Sequence, residues 1–173
     1  KLIIHMLLKI SRLITMTHTE IPNTAAELLE LLHNMGENGL HIRELAHLND
    51  LSGGFCNQLG LRFTEADRER TVAELHVTQE HLQITGIVNG GVCCAIAETV
   101  GSIMGITASN GKVVVGINNN TNFIAPVSAG MITAEAKVIQ PGRRTQLIAV
   151  DMFHRGHLVA TSIVRTMVID DKN

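Results

Sequence analysis

The sequence predicts an α+β fold in which an antiparallel sheet wraps around one long helix. The segment from Gly90 to Ala108 is apolar, contains no proline and is too long for an ordinary strand. Four strand-like segments follow it, and tight turns at Pro141-Gly142 and His154-Arg-Gly156 join the last three. An apolar helix must bury its surface, so a sheet formed by these strands is expected to surround it.

The remaining elements are predicted in chain order. Thr24 is a candidate N-cap for a first helix, with Glu27 completing a capping box, and a second helix spans Ile42 to Leu51. A hairpin is expected next, with a charged turn at Thr64 to Arg70. The predicted strands are Phe55 to Phe63, Thr71 to Thr78, Lys112 to Ile124, Met131 to Gln140, Thr145 to Phe153 and Leu158 to Ile169.

Three regions are expected along the chain. Residues 1–15 form an upstream extension outside the fold, residues 16–52 an acidic helical segment, and residues 53–173 the main domain. The apolar run of residues 1–15 is interrupted by Lys9 and Arg12, so it is too short and too charged to span a membrane. An amphipathic segment that packs on its own protein is the alternative interpretation of this run.

Composition excludes several classes of function. The 173 residues carry a net charge of −2 and only 2% aromatic residues, with no Trp or Tyr, which disfavours nucleic-acid binding. The three cysteines do not make a complete disulfide framework, which indicates a reducing cytoplasm. The nine histidines show no metal-binding spacing, so we expect no bound metal.

Glu98 is the candidate functional residue within the long helix. It is the only charged residue between Gln83 and Lys112, and its neighbours one turn away are small or uncharged. A carboxylate in a narrow cleft is a candidate for catalysis, whereas a solvated side of an amphipathic helix is the alternative. Cys94 as a nucleophile is a further, weaker alternative, because no histidine lies nearby in sequence to activate it.

The segment around this helix resembles the hotdog-fold acyl-CoA thioesterases, and in particular the group of 4-hydroxybenzoyl-CoA and phenylacetate-pathway enzymes. That group has a Gln or Asn, then a His-Gly-Gly turn, then an acidic residue eight positions after the first glycine. Gln83, Gly90 and Glu98 keep this spacing, and the resemblance extends from about Gly54 to Ile169. Asn89 stands where the family usually has His, so an acid-base role is lost there while a hydrogen-bonding role remains.

The resemblance implies a hotdog fold and an acyl-CoA thioesterase. Glu98 would act as general base or nucleophile, with Gly90 and Gly91 forming an oxyanion hole at the helix N-terminus. Gln83 would orient the water or the carbonyl, Asn89 would bind the substrate, and Ser102 would support the carboxylate or the leaving thiolate. Coenzyme A is part of the substrate, and no cofactor is expected. The acyl group is not specified by the sequence.

Two further regions gain a role from the resemblance. Arg143, Arg144 and Thr145 would clamp the coenzyme A phosphates, with a solvated hairpin turn as the alternative. The asparagines at 118, 120 and 122 share one face of a strand and would line a subunit interface, with an exposed edge as the alternative.

Helix geometry adds an expectation about assembly. Gly90 and Glu98 lie about 12 Å apart along one helix, too far to act on one carbonyl. Two antiparallel copies would unite them, so we expect a homodimer at least, and a dimer of dimers as the full assembly. A non-catalytic acyl-CoA sensor is the alternative function, and an enoyl-CoA hydratase or dehydratase is a weaker one.

Overall fold

The computed structural model describes residues 23–169. They form four α-helices, a short 3-10 turn at Gln79–His81 and a six-stranded antiparallel sheet. The helices are α1 Asn23–His33, α2 Ile42–Leu51, α3 Gly53–Leu59 and α4 Gly90–Ala108. The strands are β1 Leu61–Ala66, β2 Arg70–Val77, β3 Val114–Phe123, β4 Gly130–Gln140, β5 Thr145–His154 and β6 His157–Val168.

The sheet wraps around α4, as the sequence predicted. Its strand order is β1-β2-β4-β5-β6-β3, which leaves β1 and β3 at the two edges. Helix α4 packs against β2, β3, β4, β5 and β6, and its buried face carries Ile96, Val100 and Met104. These side chains share one core with Ile148 and Val150 of β5.

Two glycines let α4 approach the sheet closely. A Cβ on Gly101 would lie 3.3 Å from Val164, and one on Gly105 would lie 3.0 Å from the side-chain oxygen of Gln146. The buried Gln146 amide donates to the Gly105 carbonyl at 3.3 Å and accepts from Thr166 Oγ1 at 2.8 Å. The hydrogen bond from Gln146 to Gly105 joins the backbone of the helix to the interior of the sheet.

Helix α4 is, among the described helices, the one long and apolar enough to cross a membrane by length and composition. In the structure the strands of the sheet pack against it and bury much of its surface. Those contacts account for its composition.

The N-terminal helices pack against the same core. One buried cluster joins these helices to the side chains under the sheet. It contains Leu32 of α1, Met35 just after α1, and Leu48 of α2. The bounds of α2 agree with the prediction, whereas α1 begins at Asn23, so that Thr24 lies inside the helix rather than at its N-cap. The predicted extension at residues 1–15 lies outside the described residues.

The strand predicted from Phe55 to Phe63 is wrong in its first half. Residues Gly53–Leu59 are helical, and β1 starts only at Leu61. Gly60 ends α3 in the left-handed conformation, with φ of 72°. The apolar residues of a seven-residue helix do not show a period that distinguishes it from a strand.

Strand β3 contains a β-bulge that the sequence did not reveal. The pairing with β6 shifts between Gly116 and Asn118, so Ile117 is an extra residue. The regular alternation of a strand, which would put Gly116 and Asn118 on one face, is therefore broken at the bulge. Asn119, not Asn118, follows Gly116 on the face toward α4, while Asn118, Asn120 and Asn122 are exposed on the opposite face.

Candidate functional site

Glu98 lies halfway along α4, half-buried against β3. Gly116 of β3 faces its carboxylate so closely that a Cβ at this position would collide with Glu98 Oε1. The missing side chain creates the space that the carboxylate occupies. The carboxylate therefore lies half-buried against β3 rather than on an open, solvated helix face.

Asn119 holds the other carboxylate oxygen. Its Nδ2 donates to Glu98 Oε2 at 3.2 Å and to the backbone carbonyl of Cys94 at 3.0 Å. Asn119 could not be singled out from the sequence, because the bulge that turns it toward the helix has no sequence signature.

The start of α4 is shaped by Asn89 and two glycines. Asn89 is the N-cap, and its Oδ1 accepts from the Gly91 N–H at 2.8 Å. Within residues 23–169, the Gly91 N–H is thus occupied, whereas the Gly90 N–H has no acceptor. Gly90 is therefore the donor that remains for a ligand at the positive end of the helix dipole.

An open cavity of about 490 Å³ lies beside Gly90. Its walls are mainly apolar and come from the loop before α4, the first turn of α4 and the segment after β3. The lining residues are Gln83, Ile87, Val88, Gly90, Cys93, Phe123, Ile124, Ala125, Pro126, Val127, Ile132 and Val159. A cavity of this size and character suits the apolar part of a small ligand.

Gln83 reaches this cavity because a tight turn precedes α4. The Gly86 N–H donates to the Gln83 carbonyl at 2.8 Å, and the Gln83 N–H donates to the Ile87 carbonyl at 2.8 Å. Gly86 has a φ of 79°, which glycine adopts without strain. The turn therefore places Gln83 and Gly90 at one cavity.

The cavity also contains two residues that the sequence analysis missed. The Phe123 ring packs on Gly90, where a Cβ would lie 2.7 Å from the ring carbon Cζ. Cys93 contributes its thiol to the wall, and burial, followed by the neighbouring Cys94, raises the pKa of the Cys93 thiol. The Cys93 thiol therefore stays protonated at neutral pH and is unsuited to act as a nucleophile.

Glu98 does not line the cavity. It is eight residues from Gly90, about 12 Å along the helix axis. Ser102 lies one turn beyond Glu98 and is half-buried. One chain therefore presents two separate groups of candidate residues, one around Gly90 and Gln83 and one around Glu98.

The predicted phosphate clamp lies at the far end of α4. Arg143, Arg144 and Thr145 are exposed at the hairpin between β4 and β5. Arg143 lines a hollow with Ser109 and Asn110, just beyond the end of α4. The hollow lies about 15 Å from Glu98 along the helix axis, because α4 ends about ten residues after Glu98.

Comparison with known proteins identifies the family. The family model described as "Thioesterase superfamily" matches residues 85–161, which include Gly90 and Glu98 but not Gln83. A Mycobacterium tuberculosis relative with an esterase designation is 42% identical over 97 residues, covering 54% of this chain and 69% of its own length. The chain belongs to the thioesterase superfamily. The predicted enzyme class, a thioester hydrolase, is thereby confirmed.

Other thioesterases extend the comparison to fold and activity. The solved structure of the Haemophilus influenzae thioesterase HI1161 is 32% identical, with a TM-score of 0.70, over 75% of this chain and 92% of the other. This similarity confirms the predicted hotdog fold. The 1,4-dihydroxy-2-naphthoyl-CoA hydrolase of Listeria monocytogenes is 30% identical over 95 residues, 54% of this chain and 77% of the hydrolase.

Proposed function

We propose that this thioesterase hydrolyses an acyl-CoA thioester to a carboxylic acid and free coenzyme A. The observation that carries the proposal is the pairing of an anchored carboxylate, Glu98, with a free helix-terminal donor, the Gly90 N–H. Thioester hydrolysis needs both a group that activates water and a group that stabilises the oxyanion. Named relatives that hydrolyse a CoA thioester support the choice of coenzyme A.

The proposed reaction begins with water attacking the thioester carbon. Glu98 accepts the proton from the water, and the Gly90 N–H donates to the developing oxyanion, a contact worth about 3 kcal/mol. The carbon–sulfur bond then breaks, and the thiolate of coenzyme A takes the proton from Glu98. Gln83, at the cavity wall, orients the water or the carbonyl, and the amide of Asn89 and the hydroxyl of Ser102 serve as further polar contacts.

Direct attack by Glu98 is the other route that the geometry permits. The carboxylate would displace the coenzyme A thiolate by breaking the carbon–sulfur bond, and water would then hydrolyse the resulting acyl-glutamyl anhydride to the acid and free Glu98. In a single turnover in ¹⁸O-labelled water, ¹⁸O in the Glu98 carboxylate would identify the anhydride route. The general-base route places ¹⁸O in the acid product, whereas hydrolysis of the anhydride at the Glu98 carboxyl carbon leaves ¹⁸O on the enzyme.

The proposal places each active site between two subunits. Strand β3 is an edge strand whose start lies beside Glu98, at Gly116, and whose end lies beside Gly90, at Phe123. Antiparallel pairing of two β3 strands about an axis near Asn120 would set Glu98 of one protomer beside Gly90 of the other. It would also cover the unpaired backbone groups of the edge. A dimer of dimers remains the proposed full assembly.

The activity is tested by incubating the enzyme with a panel of acyl-CoA thioesters and measuring the free thiol that hydrolysis releases. Glu98→Gln keeps the shape of the side chain and removes the carboxylate. We expect kcat to fall about 100-fold or more, because a general base is lost, while coenzyme A binding persists. Near-normal turnover by this variant would contradict the mechanism. Binding without turnover by the wild type would favour the acyl-CoA sensor.

Substitution of Arg143 and Arg144 tests where the protein binds the phosphates of coenzyme A. We propose that Arg143 and Arg144, with Thr145 at the start of β5, hold the phosphates. Replacing both arginines with alanine should raise KM and leave kcat largely intact, because the phosphates are remote from the reacting carbonyl. Arg43→Ala, on the exposed side of α2, is the matched control. Equal loss of activity on a short thioester that lacks the nucleotide would instead assign the arginines a structural role.

A further inference from the structure

The polar residues beneath Glu98 form a connected network. Asn119 Oδ1 lies 2.7 Å from Thr121 Oγ1 and 2.9 Å from Ser162 Oγ. The two hydroxyls lie 2.9 Å from each other, and Ser162 is 1% exposed. The network therefore extends from the carboxylate through β3 to the buried face of β6.

The orientation of the Asn119 amide follows from its partners. The backbone carbonyl of Cys94 can only accept, so it must face the amide nitrogen. The oxygen then faces Thr121 and Ser162, whose hydroxyls can donate to it. Both ends of the amide are satisfied, and the nitrogen is fixed where it also reaches Glu98 Oε2.

We infer that Asn119 is a positioning residue that fixes the Glu98 carboxylate for attack on the substrate. This inference rests on the proposed function of Glu98. A glutamate side chain has three rotatable bonds, and in this site Gly116 gives the carboxylate space on one side but no hydrogen bond. Asn119 supplies a directed hydrogen bond to Oε2. Thr121 and Ser162 act through Asn119 by holding its amide.

An isosteric substitution gives the sharpest test. Asn119→Asp keeps the size of the side chain but replaces the donor with an oxygen that repels Glu98. We expect kcat for acyl-CoA hydrolysis to fall about 10- to 100-fold, because the reacting carboxylate is misplaced, while KM changes little. Asn38→Asp is the matched control, since Asn38 is exposed in the loop between α1 and α2, outside the site and the proposed interface, and should retain wild-type kcat.

A double-mutant cycle separates positioning from structural support. Asn119→Ala should lower kcat in the wild type and have no further effect in the Glu98→Gln background, because the residue acts through the carboxylate. Thermal unfolding of each variant tests whether the fold is retained. If Asn119→Asp does not fold, Asn119→Ala replaces it as the test of the positioning role.

Three outcomes would overturn the inference, and each is distinguishable. Wild-type kcat in both Asn119 variants, with Glu98→Gln inactive, would reject the positioning role and leave the proposed function intact. An equal loss in the wild-type and Glu98→Gln backgrounds would show a structural role alone. Normal turnover by Glu98→Gln would reject the proposed function, and the positioning role with it.

Discussion

Gly116 is the residue whose replacement should displace Glu98 most directly. A methyl group there would meet the end of a flexible side chain rather than backbone, so the carboxylate can move aside. We expect Gly116→Ala to lower kcat about 10-fold or more while the melting temperature changes little, because the cost falls on the position of the reacting group. Steady-state kinetics and thermal unfolding measure the two effects.

Gly36→Ala is the control for this substitution. A Cβ at Gly36 would have nothing within 4 Å, so the variant should match the wild type in both measurements. An unchanged kcat in Gly116→Ala would mean that Glu98 does not need its present position.

Sequence reasoning at this scale identified single residues better than contacts between them. Glu98 stood out as a lone charge in an apolar helix, and Gln83 and Gly90 by their spacing from it. The roles of Gly116 and Asn119 depend on the bulge at Ile117, which reverses the facing of every later residue in β3. A one-residue insertion of this kind is not visible in the pattern of apolar and polar residues.

Helix α4 is the element on which the site is built, and its N-cap is a testable part of it. Asn89→Ala removes the oxygen that accepts from the Gly91 N–H, and we expect the free energy of unfolding to fall by about 1 kcal/mol. Urea denaturation measures this change. Asn89→Asp keeps an acceptor oxygen at the same place and should retain most of the stability.

The elements differ in how well the sequence predicts them. The predicted bounds of α2 and α4 agree with the structure, because both have clear stops and α4 has an unbroken apolar run. Helix α3 was predicted as strand, since a short apolar segment fits both structures and only the Gly60 cap indicates a helix end.

An alanine variant of Asn89 as stable as the wild type would show that the cap adds nothing to α4.

At the scale of the whole molecule, complementation tests the shared site. Glu98→Ala and Gln83→Ala are each expected to be inactive, and co-expression allows a heterodimer to be isolated. If Gln83 works beside Gly90 of its own chain, one of the two sites is intact and about half the activity per dimer should return. A heterodimer as inactive as its parents, or a fully active monomer, would argue against the shared site.

The hydrogen bond between Gln146 and the Gly105 carbonyl has a mechanical consequence. Because glycines face the sheet at two successive turns of α4, the helix surface there is smooth and offers few ridges to resist sliding along its axis. A slide by one turn would leave a buried amide without its partner, which is energetically costly. The Gln146 amide thus opposes sliding and helps to set the axial position of the whole helix. The alignment of Glu98 with Gly116 is in this way determined partly by a contact two turns away.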